Sequence, residues 1–458
     1  MNFLDENGLG RLWAQIILKL NSKVPDGGTT GQVLKKTETG TEWANASFKP
    51  EGKSYLTFSS PNSFTLKVND TTKHWNGTLE YFSSNRTWTT WDGATTLSSV
   101  DNDGEYVLYL RGTGNTVITG NDQNYRWILT GSNIACIGNI ENLLDYATVE
   151  SGAHPTMADY CYYYMFNGCI GLIQAPALPA TALASNCYDH MFYNCRSLTQ
   201  APALPAKTLA SYCYNSMFNG CTSLIQAPTL PATTLADWCY NSMFHRCTSL
   251  IQAPALPATT MKSGCYQYMF TQCTSLIQAP ALPATMTADY CYIGMFNGCT
   301  ALTQAPALPA TTLASACYGS MFRGCTSITK LPALPATTLA GGCYQSMFEG
   351  CTSLKLSSSK TDEYTQEYRI PASGTGTSAT NALTDMFTDT GGTFIGTPEI
   401  NTTYYLSSDN MIVRETEIAT LNGYVGSMID GKVPTAITDA KIDEICGTTI
   451  LSAESSMF

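Results

Sequence analysis

The stretch Cys213-Tyr-Asn-Ser-Met-Phe-Asn-Gly-Cys221-Thr-Ser-Leu-Ile-Gln-Ala-Pro-Thr-Leu-Pro231-Ala-Thr-Thr-Leu235 is one copy of a unit that recurs along this 458-residue chain. Eight copies begin at Cys-Tyr pairs spaced 26 residues apart, at 161, 187, 213, 239, 265, 291, 317 and 343. A second cysteine follows eight residues after each first one. Self-similarity at such a period is typical of a stacked array, in which each unit buries its apolar face against its neighbours.

Comparison of the eight copies separates fixed positions from variable ones. Counted from the first cysteine, positions 0, +1, +4, +5 and +8 stay Cys, Tyr, Met, Phe and Cys, whereas +2, +3, +6 and +7 vary. At ~100° per residue the two sets occupy opposite arcs of a helix, so the pattern predicts a helix with the fixed set inward. The predicted repeat core therefore includes Cys161, Cys169, Cys187, Cys195, Cys213, Met217, Phe218, Cys221, Cys239 and Cys247.

The second part of each unit is predicted to be a brief strand. The segment 224–231 is too short and too rich in proline for a helix. Helices pack about 8–10 Å apart and strands about 4.8 Å apart, so the units are expected to form an arc with helices on the convex face. The concave face then carries a glutamine column, a candidate binding surface or amide ladder, formed by Gln174, Gln200, Gln226, Gln252, Gln278 and Gln304.

Sixteen of the eighteen cysteines lie on the repeat lattice and are expected to be buried free thiols. The four histidines are scattered, and no Cys-x-x-Cys, His-x-x-x-His or Glu-x-x-His pair offers a metal site. The one Gly-x-x-x-x-Gly-Lys stretch, Gly426 to Lys432, is followed by Val433 and not by the Ser or Thr of a phosphate-binding loop, and no Gly-x-Ser-x-Gly motif is present. The sequence therefore predicts a non-enzymatic protein without a cofactor.

The charge distribution argues against two classes of partner. Six basic and four acidic residues give positions 161–351 a net charge of +2. Because the whole chain has a net charge of −11, the flanking segments together carry −13. Nucleic-acid binders show clustered Lys and Arg, which this chain lacks. No run approaches the ~20 apolar residues of a membrane span, and the N-terminus lacks the basic residues of a secretory signal. We expect neither nucleic-acid binding nor membrane insertion.

The block Met217-Phe-Asn-Gly-Cys-Thr-Ser-Leu224 resembles the Ala-Phe-x-x-Cys-x-x-Leu block of BspA-like leucine-rich repeats in bacterial surface proteins. The resemblance covers about 190 residues. It implies a leucine-rich-repeat solenoid and a role in adhesion, since proteins of that type bind host matrix components and other cells. The longer period and the added Cys-Tyr and proline pairs depart from the family, so its ligands are not carried over.

Residues 1–47 are predicted to be an attachment and oligomerisation segment. Leu9, Trp13, Ile16 and Leu20 form a short heptad-like seam. That seam belongs either to an amphipathic helix packed on its own domain or to a self-associating fibre base. The stretch 24–43, with Gly-Gly-Thr-Thr-Gly-Gln-Val-Leu at its centre and Trp43 at its end, resembles a small module of tailed-bacteriophage head and tail fibres and is expected to form a hairpin turning at Thr39-Gly40.

Alternating apolar and polar residues with regular turns predict a β-sandwich over 48–140. Its tryptophans Trp75, Trp88, Trp91 and Trp127 either pack in the core or stack on sugars. The solenoid is expected to span 141–406, ending in a cap around 382–387, and residues 407–458 are expected to be helical. The predicted class is therefore α+β, with one helix and one short strand per 26-residue unit.

Together these features predict a homotrimeric bacteriophage fibre, located in the virion and assembled in the host cytoplasm. Its N-terminus would attach to capsid or tail proteins, and its repeats would bind a bacterial surface glycan or protein. Two alternatives stay open: a bacterial cell-surface adhesin, which needs export, and a structural decoration of the capsid or tail, which needs no ligand.

The N-terminal segment generates a prediction about assembly. A seam of four apolar residues is too short to be stable alone, so deletion of residues 1–22 should convert the oligomer to a monomer. Light scattering coupled to size exclusion measures the solution mass. An unchanged mass would assign the seam to packing within one chain.

Overall fold

The computed structural model describes residues 48–52 and 55–413, together with the backbone of 32–37 and 40–45. Within this part the one α-helix, α1, is Asn142–Glu150, and a single 3-10 turn lies at Gln123–Tyr125. The strands, in chain order from β1 to β17, are Gln32–Thr37, Gly40–Asn45, Leu56–Ser60, Thr65–Val68, Thr78–Phe82, Trp88–Thr90, Leu97–Ser98, Val100–Asn102, Glu105–Thr113, Trp127–Thr130, Ile134–Ile137, Leu172–Gln174, Lys330–Pro332, Leu356–Ser357, Tyr364–Arg369, Thr403–Ser407 and Met411–Val413.

Two sheets precede the repeats. A seven-stranded sheet has the order β12-β11-β3-β9-β5-β6, with β8 also paired to β9, and a three-stranded sheet has the order β10-β4-β7. Side chains from both sheets and from the repeats belong to one hydrophobic core. Strand β11 pairs in parallel with β12, which lies in the first repeat unit, so the larger sheet continues directly into the repeats. Farther upstream, β1 and β2 pair as an antiparallel hairpin with Thr37 opposite Gly40.

The tryptophans of this region pack against protein. Trp75, Trp91 and Trp127 are at most 3% exposed, and the Trp75–Trp91 and Trp91–Trp127 ring centroids lie 5.1 and 5.5 Å apart. Trp88 is half-buried, and the Arg111 guanidinium lies 4.2 Å from the centre of its ring. Trp75, Trp91 and Trp127 are therefore core residues and cannot stack on sugars, whereas Trp88 packs at the edge of a smaller core cluster.

The prediction of one helix per repeat is wrong. Each segment from the first to the second cysteine of a unit consists of consecutive turns. In the unit that begins at Cys213, Tyr212, Ser216 and Gly220 have φ values of +56°, +50° and +77°. The same left-handed conformation recurs at positions −1, +3 and +7 of every unit. Because an α-helix has no such residues, the α+β assignment with its helical layer is replaced by stacked turns. The predicted strand is present in only the first, seventh and eighth units, as β12, β13 and β14, and is a single backbone bridge in the five units between the first and the seventh.

Hydrogen bonds explain why these turns have four residues. The N–H groups of Tyr214 and Phe218 donate to the next unit, at Cys239 O (3.0 Å) and Met243 O (2.9 Å). The N–H of the intervening Met217 instead donates three residues back, to Tyr214 O at 3.3 Å. Alternate residues thus bond between units and within the unit. Every turn is tied to its neighbour, and the buried backbone is satisfied without a helix.

The repeat stack was predicted to curve because helices pack farther apart than strands, and without helices that reason no longer applies. Equivalent Phe and Tyr rings of adjacent units lie 5.5–5.9 Å apart with planes within 11° of parallel. Equivalent glutamines on the opposite side form parallel backbone bridges, at Gln200 with Gln226 and Gln226 with Gln252. Since bridged strands lie about 4.8 Å apart, both sides of a unit advance by similar steps, and no helix spacing of 8–10 Å forces the stack to curve.

The prediction that fixed positions are buried and variable positions are exposed is only partly correct. The fixed residues Tyr214 and Phe218 are at most 1% exposed, as the pattern indicates. Asn215 and Asn219, at variable positions expected to face solvent, are also buried, at 9% and 8%. Each lies close to polar side chains of adjacent units; for example, Asn215 Nδ2 donates to Asp189 Oδ1 at 2.9 Å. Some variable side chains are therefore buried against the adjacent unit, and others are exposed to solvent.

Both ends of the repeat stack are covered. Strand β11 pairs with β12 of the first unit. Strand β17 pairs in parallel with β13 of the seventh unit. The segment 382–387 stacks on the eighth unit, where the Phe348 and Phe387 rings are 5.7 Å apart. No backbone edge of the stack is left open at these positions, which removes a site for further strand addition. In the described part of the chain, no helix has the length and apolar character needed to cross a membrane.

The left-handed turns predict an unusual response to glycine. Ser346 has φ +51°, a conformation that costs a residue with a Cβ about 1–2 kcal/mol. Ser346→Gly should therefore leave the free energy of unfolding unchanged or raise it by about 1 kcal/mol. The matched control Gln345→Gly, at a neighbouring position with ordinary backbone, should lower it by about 0.5–1 kcal/mol. Urea unfolding measures both; equal losses in the two variants would indicate helical backbone instead.

Candidate functional site

The repeat cysteines form two buried columns. All sixteen, including Cys161, Cys187, Cys213 and Cys239 of the first column and Cys169, Cys195, Cys221 and Cys247 of the second, are free thiols. Their exposed fractions do not exceed 2%. The residues between the two cysteines of a unit form turns and not the predicted helix. The columns nevertheless lie inward together with Met217 and Phe218, so the predicted repeat core is a packed interior.

The second cysteine of each unit has a specific hydrogen-bond partner. Cys221 Sγ donates to Phe192 O at 3.1 Å, and Cys247 Sγ donates to Phe218 O at the same distance. The contact recurs, at 3.0–3.1 Å, from Cys195 to Cys351. A thiol is small, largely apolar and still a weak donor. It therefore fills the core while making one more bond between units.

Burial changes the acidity of these thiols. Desolvation raises the pKa of Cys325 to about 12 and that of Cys317 to about 11. The thiolate is the reactive form of cysteine, and a thiol in such surroundings stays protonated at neutral pH. The columns are therefore chemically inert, and they contribute packing and hydrogen bonds.

The predicted glutamine column exists, but its side chains form no ladder. Backbone bridges join successive members from Gln174 to Gln278, and Gln304 is bridged to Lys330. The side chains of Gln174, Gln200, Gln226 and Gln252 are exposed, whereas Gln278 and Gln304 are half-buried. Among the described residues, no hydrogen bond joins the amides of these six glutamines. Their donors and acceptors point to a surface and are free to bind a ligand.

A groove follows the glutamine column across three consecutive units. It has a volume of about 550 Å³ and is lined by 226–231, 252–257 and 278–281 together with Pro283. These stretches are three copies of Gln-Ala-Pro-x-Leu-Pro, so the same side chains repeat along it. Leu230, Leu256 and Leu282 are buried beneath the surface, at 4% exposure each. We call this feature the proline groove.

An exposed apolar column runs through the same three units as the proline groove. Ile225, Ile251 and Ile277 directly precede the groove glutamines and are 54%, 47% and 58% exposed. The same position is Thr199 in the preceding unit and Thr303 in the following one. The first unit also has isoleucine there, the half-buried Ile173, so the exposed isoleucines are those of the three groove units. The sequence analysis missed both features, although isoleucine at an exposed position of three consecutive copies is a visible signal.

The proline groove carries no charge. Every residue that lines it is Gln, Ala, Pro, Thr or Leu. The four histidines lie elsewhere: His74, His154 and His190 pair with carboxylates, and His245 contacts the side-chain amide of Asn219. In the described part of the chain, no cluster of three or more His, Cys, Asp or Glu is arranged to hold a metal ion. The groove is equipped for contact by hydrogen bonds and apolar packing.

Two other predicted regions lie outside the described residues. These are the N-terminal seam of Leu9, Trp13, Ile16 and Leu20, and residues 414–458 of the segment 407–458 that is predicted to be helical. In the described part of that segment the prediction is wrong, because Met411–Val413 is a strand. Compared with protein-family models, curated proteins and solved structures, the chain matches none of them. A function for the proline groove therefore has to be argued from its own geometry and chemistry.

The thiol columns predict a loss of stability at alkaline pH. A thiol titrates near pKa 8.5 in the unfolded chain, whereas burial raises the pKa of Cys325 in the folded protein to about 12. The unfolded state therefore loses its proton first, so stability is constant below about pH 8.5 and falls as pH rises toward 12. Urea unfolding from pH 7 to pH 10, with a reductant present, should show this decline.

The control for this measurement removes one titrating group. Cys325→Ala lowers stability at every pH, but the decline above pH 8.5 should be shallower by up to about 1.4 kcal/mol per pH unit. Parallel curves for the parent and the variant would show that the Cys325 thiol titrates alike in both states.

Proposed function

We propose that this protein is a non-catalytic bacteriophage fibre that adheres to the host bacterial surface through its repeat stack. The observation that carries the proposal is the proline groove, together with the exposed isoleucine column of the same three units. Contiguous apolar surface exposed to water is typical of interaction sites. The resemblance of residues 24–43 to a module of phage head and tail fibres and of 217–224 to bacterial surface repeats supports this assignment.

The proposed assembly is a homotrimer attached to capsid or tail proteins by its N-terminus. An uncharged groove makes weak individual contacts, because it lacks charge-assisted hydrogen bonds. Identical arms on one particle raise the overall avidity by ~10²–10⁴ when the receptor repeats at a matching spacing. Oligomerisation would thus convert weak sites into firm attachment to a bacterial glycan or protein.

Two other functions fit the same fold and are separable by experiment. A bacterial cell-surface adhesin would be found on cells, whereas a fibre or a structural decoration would be found in purified virions by mass spectrometry. Cell binding by the purified full-length chain then separates a fibre from a decoration. The exposed isoleucines favour the fibre, since a decoration needs no apolar column facing solvent.

Adhesion should be nearly independent of salt. From about 50 to about 500 mM salt, the Debye length shrinks from roughly 14 to roughly 4 Å, which weakens contacts between charges. Because no charged residue lines the proline groove, cell binding measured by flow cytometry should change by less than about twofold. Strong salt dependence would move recognition to the acidic flanks.

A further inference from the structure

We propose that the ligand of the proline groove is a linear, uncharged polysaccharide whose chain lies along the axis of the repeat stack. This inference rests on the proposed adhesive function and specifies its receptor chemistry. Three features of the groove carry it: the spacing of its repeated groups, their unused hydrogen-bonding capacity, and the absence of charge.

The spacing of the groove selects the repeat length of the ligand. Gln226, Gln252 and Gln278 are joined by parallel backbone bridges, so the same amide recurs about every 4.8 Å along the axis. An extended peptide advances only about 3.3 Å per residue and would fall out of phase after one or two steps. A pyranose ring in an extended β-linked chain is close to one inter-strand spacing in length, so successive sugars stay beside successive units of the groove.

The chemistry of the groove matches the two faces of a sugar. Each glutamine amide provides donors and an acceptor, and the groove glutamines make no hydrogen bond with one another in the described structure. Hydroxyl groups need such partners at every step. The C–H surfaces of a pyranose can pack against the groove prolines and alanines. No cationic residue lines the groove to neutralise an acidic polymer.

The closed ends of the stack argue against a peptide bound as an added strand. Peptide recognition by strand addition requires an unpaired sheet edge. At the glutamine face, β12 of the first unit is paired with β11 and β13 is paired with β17. A ligand on this face therefore lies across the units, along the axis in which the chemical groups repeat.

The experiment measures the affinity of defined oligosaccharides for the full-length protein by calorimetry. The probes are cello-oligosaccharides and chito-oligosaccharides from disaccharide to octasaccharide, with polygalacturonate as the charged comparison. Affinity should rise with each added sugar while the chain lengthens along the groove and then level off. Polygalacturonate should bind at least about tenfold more weakly, because its carboxylates find no partner.

Variants locate the site. The triple variant Gln226→Ala, Gln252→Ala, Gln278→Ala should weaken the longest bound oligosaccharide by at least about tenfold, since each lost hydrogen bond has a modest net value. The matched control is Thr208→Ala, Thr234→Ala, Thr260→Ala, which removes three exposed side chains from a neighbouring column in adjacent units. This control should bind like the parent protein.

Parallel measurements of cell adhesion keep the two proposals distinguishable. One outcome is that the parent and the glutamine triple variant adhere to cells equally well and that the parent binds no neutral oligosaccharide. This outcome overturns the polysaccharide proposal and leaves the proposed fibre function standing. Length-dependent binding lost in the triple variant supports the polysaccharide even when the parent fails to adhere to cells, in which case the adhesive function is the proposal that fails. Equal loss in the threonine control places the binding outside the groove.

Discussion

The hydrogen bond from one unit to the next, made by every second residue of the turn segment, is the constraint on which the structure depends. It fixes the distance between units, because Tyr214 and Phe218 can reach Cys239 and Met243 only when neighbouring turns lie in register. It also fixes the turn length, since a residue must reverse into the left-handed region every fourth position to present alternate N–H groups to the neighbour. The aromatic columns and the thiol columns follow from that register.

The same register explains why the core uses cysteine. A side chain at the second cysteine position has to be small enough for tight stacking and still reach the Phe carbonyl of the preceding unit, as Cys221 reaches Phe192. Serine would place a hydroxyl in apolar surroundings, and alanine would forgo the bond. The register also determines the surface of the glutamine face. It places identical side chains at equal steps on the surface, which makes a groove between units out of segments that contain no pocket individually.

The repeat organisation could be predicted from the sequence, but the predicted helix in each unit is wrong, for a reason that the repeat pattern itself explains. The 26-residue period, the inward set and the glutamine column follow from comparing the copies. The helix was inferred because positions 0, +4 and +8 fall on one arc at ~100° per residue. Over nine residues that arc cannot be told from turns of four residues. The distinguishing signal was Gly at +7 in five of eight copies, including Gly220 and Gly298, which is unfavourable inside a helix. The proline groove forms between units, so it required the stacking distance.

The glutamines raise a question that packing does not answer. Their bridges use backbone atoms alone, so any residue other than proline could occupy these positions. The side chains are largely exposed and make no contact that the fold requires, yet six successive units keep Gln. A recent duplication does not account for this uniformity, because the same units differ at the turn face, where Asp189, Asn215 and Gln267 occupy one column. A ligand that meets the same group at each step along the stack, as proposed for the groove, would account for an amide at each of these positions.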